Sequence, residues 1–294
     1  MWIFANEIRK TGGICFLDIG SGWQLSERWK AIEPLISLWG FDPNPEECKR
    51  LEQNKNSFLS ARYLPYALSD QNGRARLFVT KSGYCDSLLE PNTPWLSRFS
   101  YKRLFDVVGR REIETVRLDH VPELQEVDVD IIKSDTQGME LPILSKATRF
   151  LNQAFYVETE TGFLENYYGE TTYSQIDEFM RSRGFLLFDM RIHRMTRDNP
   201  FKDLKTTRGQ ILWCEAVWLK DYLALETKGS LDTASLTRRK AIRALTLCAL
   251  QKTFDFGLEL ARFFHKKCLL DDSEMERLER PETWMLPEDS VARW

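Results

Sequence analysis

Short apolar runs of strand length alternate with amphipathic stretches up to about residue 190, and this alternation is what most limits the folds open to the chain. Such nearly continuous apolar runs are typical of parallel strands covered on both faces. Helices are expected between them, and the strand–helix order predicts an α/β fold with a doubly wound sheet. The predicted strands are 14–19 (ICFLDI), 35–41 (LISLWGF), 129–133 (VDIIK) and 154–158 (AFYVE), and the predicted helices are 24–33, 44–55, 139–151 and 173–183.

Further strands are expected at two places where the apolar runs come in pairs. Residues 58–80 contain two runs around Asp70-Gln71-Asn72-Gly73, which is a tight-turn signal and predicts a hairpin. Residues 185–193 and 210–219 are predicted to form an antiparallel pair that closes the sheet. The sheet is therefore expected to be mostly parallel, with an antiparallel closing strand.

The chain changes character after about residue 225. Residues 231–270 carry eight Lys/Arg against three Asp/Glu, on helically spaced apolar positions rich in Leu and Phe. Residues 271–294 carry three Lys/Arg against eight Asp/Glu. We therefore predict two parts, a domain over 1–228 and a C-terminal helical extension with an acidic tail over 229–294.

Charge and composition narrow the possible partners. The 294 residues carry 41 Lys/Arg and 44 Asp/Glu, a net charge of −3, which disfavours nucleic acid as a partner. Six cysteines without a CxxC pair, and only three histidines, predict free thiols and no metal site. With no apolar run long enough to cross a membrane and no secretory signal at the start, a cytoplasmic location is expected.

The ends of the first two predicted strands carry a ligand signal. Gly20 and Gly22 follow the first strand, where glycine lets a ligand approach the backbone. Asp42 ends the second strand, 22 residues after Gly20, at the distance where a carboxylate can bind both ribose hydroxyls of a nucleoside cofactor. Each feature has a structural alternative, a tight turn for the glycines and a helix cap for Asp42.

Two cofactors present such a ribose, NAD and S-adenosyl-L-methionine. NAD sites hold a pyrophosphate at a helix N-terminus with a third glycine. Here Trp23, Gln24 and Leu25 follow Gly22, so that glycine is missing and a bulky side chain stands in its place. This favours S-adenosyl-L-methionine, which contains no phosphate, and leaves an NAD-dependent oxidoreductase as the alternative.

The most specific sequence motif is VDIIKSDTQGMELPIL, over 129–144. It contains the third long strand and the residues after it. With FLDIGSG, LWGFDPNP, LPYALSDQNG, TVRLDHV and YVETETG, in that order over roughly 14–220, it resembles the FkbM-type family of S-adenosyl-L-methionine-dependent methyltransferases. The chain departs from the family pattern at Gly22 and Gln24 in the first motif, and at Ser134 and Gln137 in the second. Because Gln137 replaces a carboxylate, a non-catalytic binding module is a third hypothesis.

The resemblance implies a Rossmann-like class I methyltransferase fold and O-methyl transfer, often to a sugar or a polyketide-like product. We expect the acceptor to be a saccharide or glycolipid. The expected cofactor contacts are Gly20 and Gly22 at the turn, Asp18 at the methionine end, Asp42 at the ribose, and Leu68 with Asp70 at the adenine.

Three residues are candidates for the base that takes the proton of the acceptor hydroxyl. Asp135 stands at the end of the third long strand, Glu158 at the end of the fourth, and His193 on the closing strand pair. Each has an alternative: Asp135 as a cofactor ligand or helix cap, Glu158 as a loop anchor, and His193 as a rim residue.

Two segments are candidates for binding the acceptor. Residues 161–173 offer Tyr167 and Tyr168 for stacking on a sugar ring. Residues 98–111 carry five Lys/Arg, among them Arg103, interleaved with aromatic rings, which suits an acidic glycan or a phosphate headgroup. The alternatives are packing over the sheet for the tyrosines and a solvated basic helix face for 98–111.

The basic stretch 231–270 has two interpretations. A helix with this charge can lie on an anionic membrane surface, which predicts peripheral contact with the inner membrane face. Alternatively, its apolar face packs against the sheet or against a second copy of the chain in a homodimer.

Overall fold

The computed structural model describes residues 2–22, 25–198 and 208–285. The strands are β1 (Ile14–Ile19), β2 (Ile36–Phe41), β3 (Ser60–Leu64), β4 (Ala67–Ser69), β5 (Gly73–Thr80), β6 (Val107–Arg117), β7 (Ile131–Ser134), β8 (Tyr156–Gly162), β9 (Phe185–Met195) and β10 (Gln210–Lys220). The α-helices are α1 (Ala5–Lys10), α2 (Pro45–Glu52), α3 (Thr93–Leu96), α4 (Glu140–Lys146), α5 (Thr148–Gln153), α6 (Tyr173–Ser182), α7 (Tyr222–Thr227), α8 (Arg238–Gln251), α9 (Phe254–Lys266) and α10 (Asp272–Leu278).

The main sheet has seven strands in the order β3-β2-β1-β7-β8-β10-β9. The pairs from β3 to β8 are parallel, and β10 pairs antiparallel with both β8 and β9. The predicted fold class is confirmed, including the four apolar strands and the closing pair. The carboxyl ends of β1, β2, β7 and β8 therefore meet at one edge, where ligands bind in sheets of this kind.

The region 58–80 differs from the predicted hairpin. Asp70–Gly73 does form a turn, but β4 and β5 do not pair with each other. Both pair with β6, β4 in parallel and β5 antiparallel, in a separate three-stranded sheet. The hairpin prediction is wrong because β6, which begins 27 residues after the end of β5, lies between the two strands and takes up their hydrogen bonds.

The helix predicted at 24–33 is also wrong over the described part of that range, which forms a 3-10 turn at Glu27–Trp29. The Trp29 indole is fully buried, with its ring edge-on to Phe16 and Tyr156 on the sheet. This packing holds the segment against the sheet in place of the predicted helix. The predicted helix 139–151 is likewise divided, into α4 and α5.

The two faces of the main sheet are covered from different parts of the chain. Helices α4, α5 and α6, which lie between strands in the sequence, pack on one face. The other face is covered by α1, α8 and α9. Helix α8 is buried from Lys240 to Leu250, so the C-terminal helices complete the core of the sheet. The boundary predicted at 228/229 stays a prediction.

Several basic side chains of 231–270 are already paired within the fold. Arg238 bonds to Glu7 and Glu274, each at 2.7 Å. Lys240 and Arg243 reach Asp130 at the start of β7, at 3.0 and 2.8 Å. The apolar face of α8 packs on the sheet, which is the second interpretation of this stretch. Peripheral membrane contact and a homodimer stay predictions. Among the described residues, no helix is long and apolar enough to cross a membrane.

Candidate functional site

A cavity of about 900 Å³ opens at the carboxyl edge of the main sheet and extends under the three-stranded sheet. Its volume lies at the upper end of the range typical of small-molecule sites. Six predicted site residues line it, and six do not. The lining residues are Gly20, Gly22, Asp42, Leu68, Asp135 and Tyr167, and those outside the lining are Asp18, Asp70, Arg103, Glu158, Tyr168 and His193.

The turn after β1 requires glycine at position 20. Gly20 has φ +83°, and a Cβ there would stand 1.9 Å from the carbonyl oxygen of Asp135. The Asp135 amide also donates to the Ile19 carbonyl at 2.9 Å. The turn after β1 and the end of β7 are therefore in direct contact, which brings Asp135 beside the glycine turn.

Asp42 lines the cavity and holds the turn before α2, but it is not the cap of that helix. Its Oδ1 accepts from the Asn44 amide at 2.7 Å, while Asn44 itself caps α2 by accepting from Glu46. Its Oδ2 lies 3.9 Å from where a Cβ on Gly22 would be, on the cavity side. Burial raises the pKa of Asp42, opposed by the Asn44 hydrogen bond. One carboxylate oxygen holds the turn, and Asp42 belongs to the lining of the cavity.

The cavity wall beyond Asp42 is apolar. Leu68 on β4 and Leu77 on β5 line it together with Tyr66 and Met139. Leu68 therefore lies in the cavity, and its contact with adenine stays a prediction. Asp70 lies outside the lining, where it accepts from the Ser69 hydroxyl at 3.1 Å.

Asp135, Gln137 and Glu160 form a polar network on the cavity floor. The Gln137 amide nitrogen donates to Asp135 Oδ1 at 2.9 Å and to Glu160 Oε1 at 3.3 Å. Its amide oxygen accepts from the Tyr167 hydroxyl at 2.8 Å. Burial raises the pKa of both carboxyl groups, and that of Glu160 is raised further by the charge of Asp135. Two carboxyl groups with raised pKa values in one cavity are typical of a site that moves protons.

Two further buried carboxyl groups hold the loops around this network. Glu140 accepts from the Thr136 amide at 2.7 Å and from the Gly138 amide at 3.1 Å. Glu170 accepts from three backbone amides between residues 162 and 167. Burial raises the pKa of Glu140 to about 8 and that of Glu170 to about 7. Gln137 is held between these loops with φ +56°, an uncommon conformation for a residue other than glycine.

Aromatic rings form the wall opposite the glycine turn. Tyr101, Phe105, Tyr167 and Trp213 line the cavity there. The ring centroids of Phe105 and Tyr167 lie 5.8 Å apart, and those of Tyr101 and Trp213 lie 6.0 Å apart.

The other two predicted acceptor residues lie away from this wall. Tyr168 is 49% exposed, and Arg103 is exposed on the outer side of the 98–111 segment. That segment thus directs Tyr101 and Phe105 to the cavity and its Arg103 side chain to solvent.

The remaining predicted site residues lie behind the cavity floor. Glu158 is ion-paired with Arg28 and accepts from the Tyr156 hydroxyl at 3.1 Å. Asp18 is ion-paired with Lys133 at 3.1 Å. These arrangements agree with the structural alternative for Glu158.

His193 lies one ring behind the cavity. Its imidazole is stacked on Trp213, with centroids 5.0 Å apart, and bonds to Glu215 at 3.0 Å. Because Trp213 lines the cavity, His193 supports the wall from outside.

Glu160, Glu170 and Trp213 were not among the predicted site residues. Period-two alternation does signal Glu160, because it lies two positions beyond Glu158 on the same face of β8 and nearer the ligand edge. Glu170 and Trp213 carry no comparable local signal, since a loop fold and an antiparallel register bring them to the cavity.

The fold and the cavity define an α/β protein with a nucleoside-type ligand site at the carboxyl edge of its sheet. The family model described as "Methyltransferase FkbM domain" matches residues 21–187, which is more than half of the chain. The chain therefore belongs to the FkbM methyltransferase family. Membership implies S-adenosyl-L-methionine as the methyl donor and decides against the NAD-dependent oxidoreductase.

Solved structures with a similar arrangement are all distant. Precorrin-6y C5,15-methyltransferase from Geobacter metallireducens has 10% identity and a TM-score of 0.37, and the match covers 73% of this chain and 88% of that one. Magnesium protoporphyrin IX methyltransferase from Synechocystis has 9% identity and a TM-score of 0.34, with 74% and 76% covered. No curated protein matches the sequence significantly.

Proposed function

We propose that the protein transfers the methyl group of S-adenosyl-L-methionine to a hydroxyl oxygen of a saccharide or glycolipid acceptor. The observation that carries this proposal is that one cavity joins the Gly20–Asp42 side to the aromatic wall, with Asp135 between them. A methyl donor and an acceptor bound on these two sides would meet above the end of β7.

The residues of the first side fit the donor. The Gly20 turn lets a ligand lie against the backbone, and a hydroxyl-bearing ribose would find a hydrogen-bond acceptor in Asp42 Oδ2. Leu68 and its apolar neighbours suit adenine. The carboxyl groups of Asp135 and Glu160 complement the positive sulfonium. Asp18 and Asp70 stay predicted contacts only.

The second side suits a sugar ring. Aromatic rings pack against the apolar face of a sugar ring, while carboxylate oxygens accept hydrogen bonds from its hydroxyl groups. Arg103, the residue expected to grip an acidic group, lies outside the lining, but Arg111 of the same segment and Arg50 belong to it, so the cavity has cations that an acidic group on a glycan would meet.

The chemistry supplied by the donor is an activated methyl group: the hydroxyl oxygen forms a bond to its carbon while the carbon–sulfur bond breaks and leaves its electron pair on sulfur. The cavity's contribution is to align the acceptor hydroxyl and to receive its proton, effects that can each supply several kcal/mol. Asp135 is adjacent to the glycine turn and is the first candidate to orient that hydroxyl.

Calorimetric titration with S-adenosyl-L-methionine and with NAD tests the donor side. We expect binding of S-adenosyl-L-methionine only. Asp42→Ala should weaken it by about 1.5–3 kcal/mol, the range for a hydrogen bond to a charged group, or roughly 10- to 150-fold. Glu46→Ala, an exposed carboxylate on the following helix, is the matched control. Unchanged affinity in folded Asp42→Ala would remove Asp42 from the ribose site.

Incubation with methyl-labelled S-adenosyl-L-methionine and a cell-wall or lipid extract tests the acceptor side. Label in a saccharide that resists alkaline ester hydrolysis indicates an ether, the product of O-methyl transfer to a hydroxyl. Tight cofactor binding with no labelled product from any extract would favour the non-catalytic module.

A further inference from the structure

We propose that Asp135 and Glu160 act as one carboxyl pair bridged by the Gln137 amide, and that Glu160 is the member that takes the proton of the acceptor hydroxyl. This inference rests on the proposed function. It assigns a base that differs from the three sequence candidates, and it makes Gln137 a positioning residue.

The bridge is defined by hydrogen bonds. One nitrogen, Gln137 Nε2, lies 2.9 Å from Asp135 Oδ1 and 3.3 Å from Glu160 Oε1, so the two carboxyl groups are held against a single NH₂ group. The amide orientation is fixed from the other side, because the Gln137 oxygen accepts from Tyr167. A glutamate at 137 would place a third carboxyl group here and remove both donors.

The sheet order distinguishes the two members of the pair. Asp135 follows β7, which is adjacent to β1 and its glycine turn. Glu160 lies on β8, one strand farther from β1, and pairs across to Glu215 on β10, two residues from Trp213. Glu160 is therefore the carboxyl group on the acceptor side, and Asp135 is the one on the donor side.

The charges around the pair are mostly negative. Glu160 faces Asp135, Glu140 and Glu215, whereas Asp135 faces Glu215, Asp18 and the cation Lys133. Burial raises the pKa of both members, and the charge of Asp135 raises that of Glu160 further, which favours a proton held by the pair. The adjacent Tyr167, Cys85 and Glu170 contribute no positive charge.

A cationic ligand changes the charge around the two carboxyl groups. When a positive sulfonium lies beside the pair, attraction lowers both pKa values and the shared proton leaves to solvent. Glu160 is then a carboxylate. As the acceptor oxygen forms its bond to the methyl carbon and the electron pair of the broken bond stays on sulfur, the hydroxyl proton passes to Glu160. The products are a methyl ether, a neutral thioether and a protonated Glu160.

The test measures protons, so no acceptor is needed. S-adenosyl-L-methionine and S-adenosylhomocysteine, which lacks the positive charge, are titrated calorimetrically at pH 7 in two buffers of different ionisation enthalpy. We expect net proton release, up to about one per site, with the sulfonium only. Glu160→Gln should abolish the release and still bind S-adenosylhomocysteine, which also shows that the site is folded.

Glu165→Gln is the matched control, because Glu165 is an exposed carboxylate on the loop that follows β8. It should release protons as the wild type does. Gln137→Glu adds a carboxyl group to the pair and should move the release to higher pH. Asp135→Asn, which removes the other member, should also abolish it.

The outcomes separate the two proposals. Release in Glu160→Gln equal to that of the wild type, or equal release with both ligands, would overturn the role of Glu160 while the proposed function stands. A pH dependence unchanged by Gln137→Glu would overturn the bridge. No binding of S-adenosyl-L-methionine to the wild type would overturn the proposed function, and this inference with it.

Discussion

Two aspartates bracket strand β7, and their surroundings are opposite. Asp130, before the strand, accepts from the Cys15 amide and from Lys240 and Arg243, at 2.8–3.0 Å. Asp135, after the strand, faces a cavity and shares the Gln137 amide with Glu160. The first carboxylate is buried with two cations, whereas the second is held beside another acid.

The difference separates a structural charge from a reactive one. A buried carboxylate whose oxygens all meet donors has little left to offer a ligand, and it fixes the elements that supply the donors. Here it ties α8 to the amino end of β7. A carboxylate that faces a cavity beside another acid has no positive partner of its own there, so a cationic ligand can supply one.

The largest effect on stability is expected at the amino end of β7. Asp130→Ala leaves Arg243 buried without its carboxylate partner and Lys240 with Asp128 alone, and it should lower the free energy of unfolding by about 3–5 kcal/mol, measured by urea denaturation. Asp128→Asn is the control, because Asp128 also pairs with Lys240, at 2.7 Å, but is 32% exposed. The control should cost less than about 1 kcal/mol. Equal effects for the two variants would show that the buried Asp130 contributes no more to stability than the partly exposed Asp128.

At the carboxyl end of the sheet, the buried acids should make the free energy of unfolding depend on pH. Burial raises the pKa of Glu170 from 4.5 to about 7, so the folded state holds this proton more tightly than the unfolded state. Its contribution is therefore fully present below pH 4.5 and is lost as the pH rises through about 7, by up to about 3 kcal/mol at 1.4 kcal/mol per pKa unit.

Urea denaturation between pH 5 and 8 measures this loss. Glu170→Gln retains one oxygen acceptor, cannot ionise and should make the fall in stability over that window shallower, while Glu140, whose pKa is also raised, still contributes to it. A wild-type profile that is flat or rises with pH would contradict the raised pKa.

A smaller change in free energy is expected for Asp135→Asn. The variant should lower turnover at least tenfold, about 1.4 kcal/mol or more in the barrier, with less effect on cofactor affinity. Because it relieves repulsion from Glu160, it should not lower the free energy of unfolding, unlike Asp130→Ala. If cofactor affinity falls in step with turnover, Asp135 is a cofactor-binding group and not the reactive counterpart of Asp130.

The sequence by itself determined the sheet and the edge at which the ligand site lies. Apolar runs at 14–19 and 35–41 are local patterns, and a residue that follows a parallel strand lies at the carboxyl edge whatever the rest of the chain does. Gly20, Asp42 and Asp135 could therefore be placed at the cavity from sequence. The family motifs added the methyl donor.

Only the tertiary structure decided which charged side chains meet. Glu158 and Glu160 share one face of β8, yet the first is paired with Arg28 and the second lines the cavity. Likewise, the segment at Trp29 forms a 3-10 turn packed on the sheet, and Arg243 of α8 pairs with Asp130 from more than 100 residues away. The spacing of apolar residues and the ends of strands depend on residues that are neighbours in the sequence. The partner of a buried charge depends on strand register and on distant helices, which local sequence does not encode.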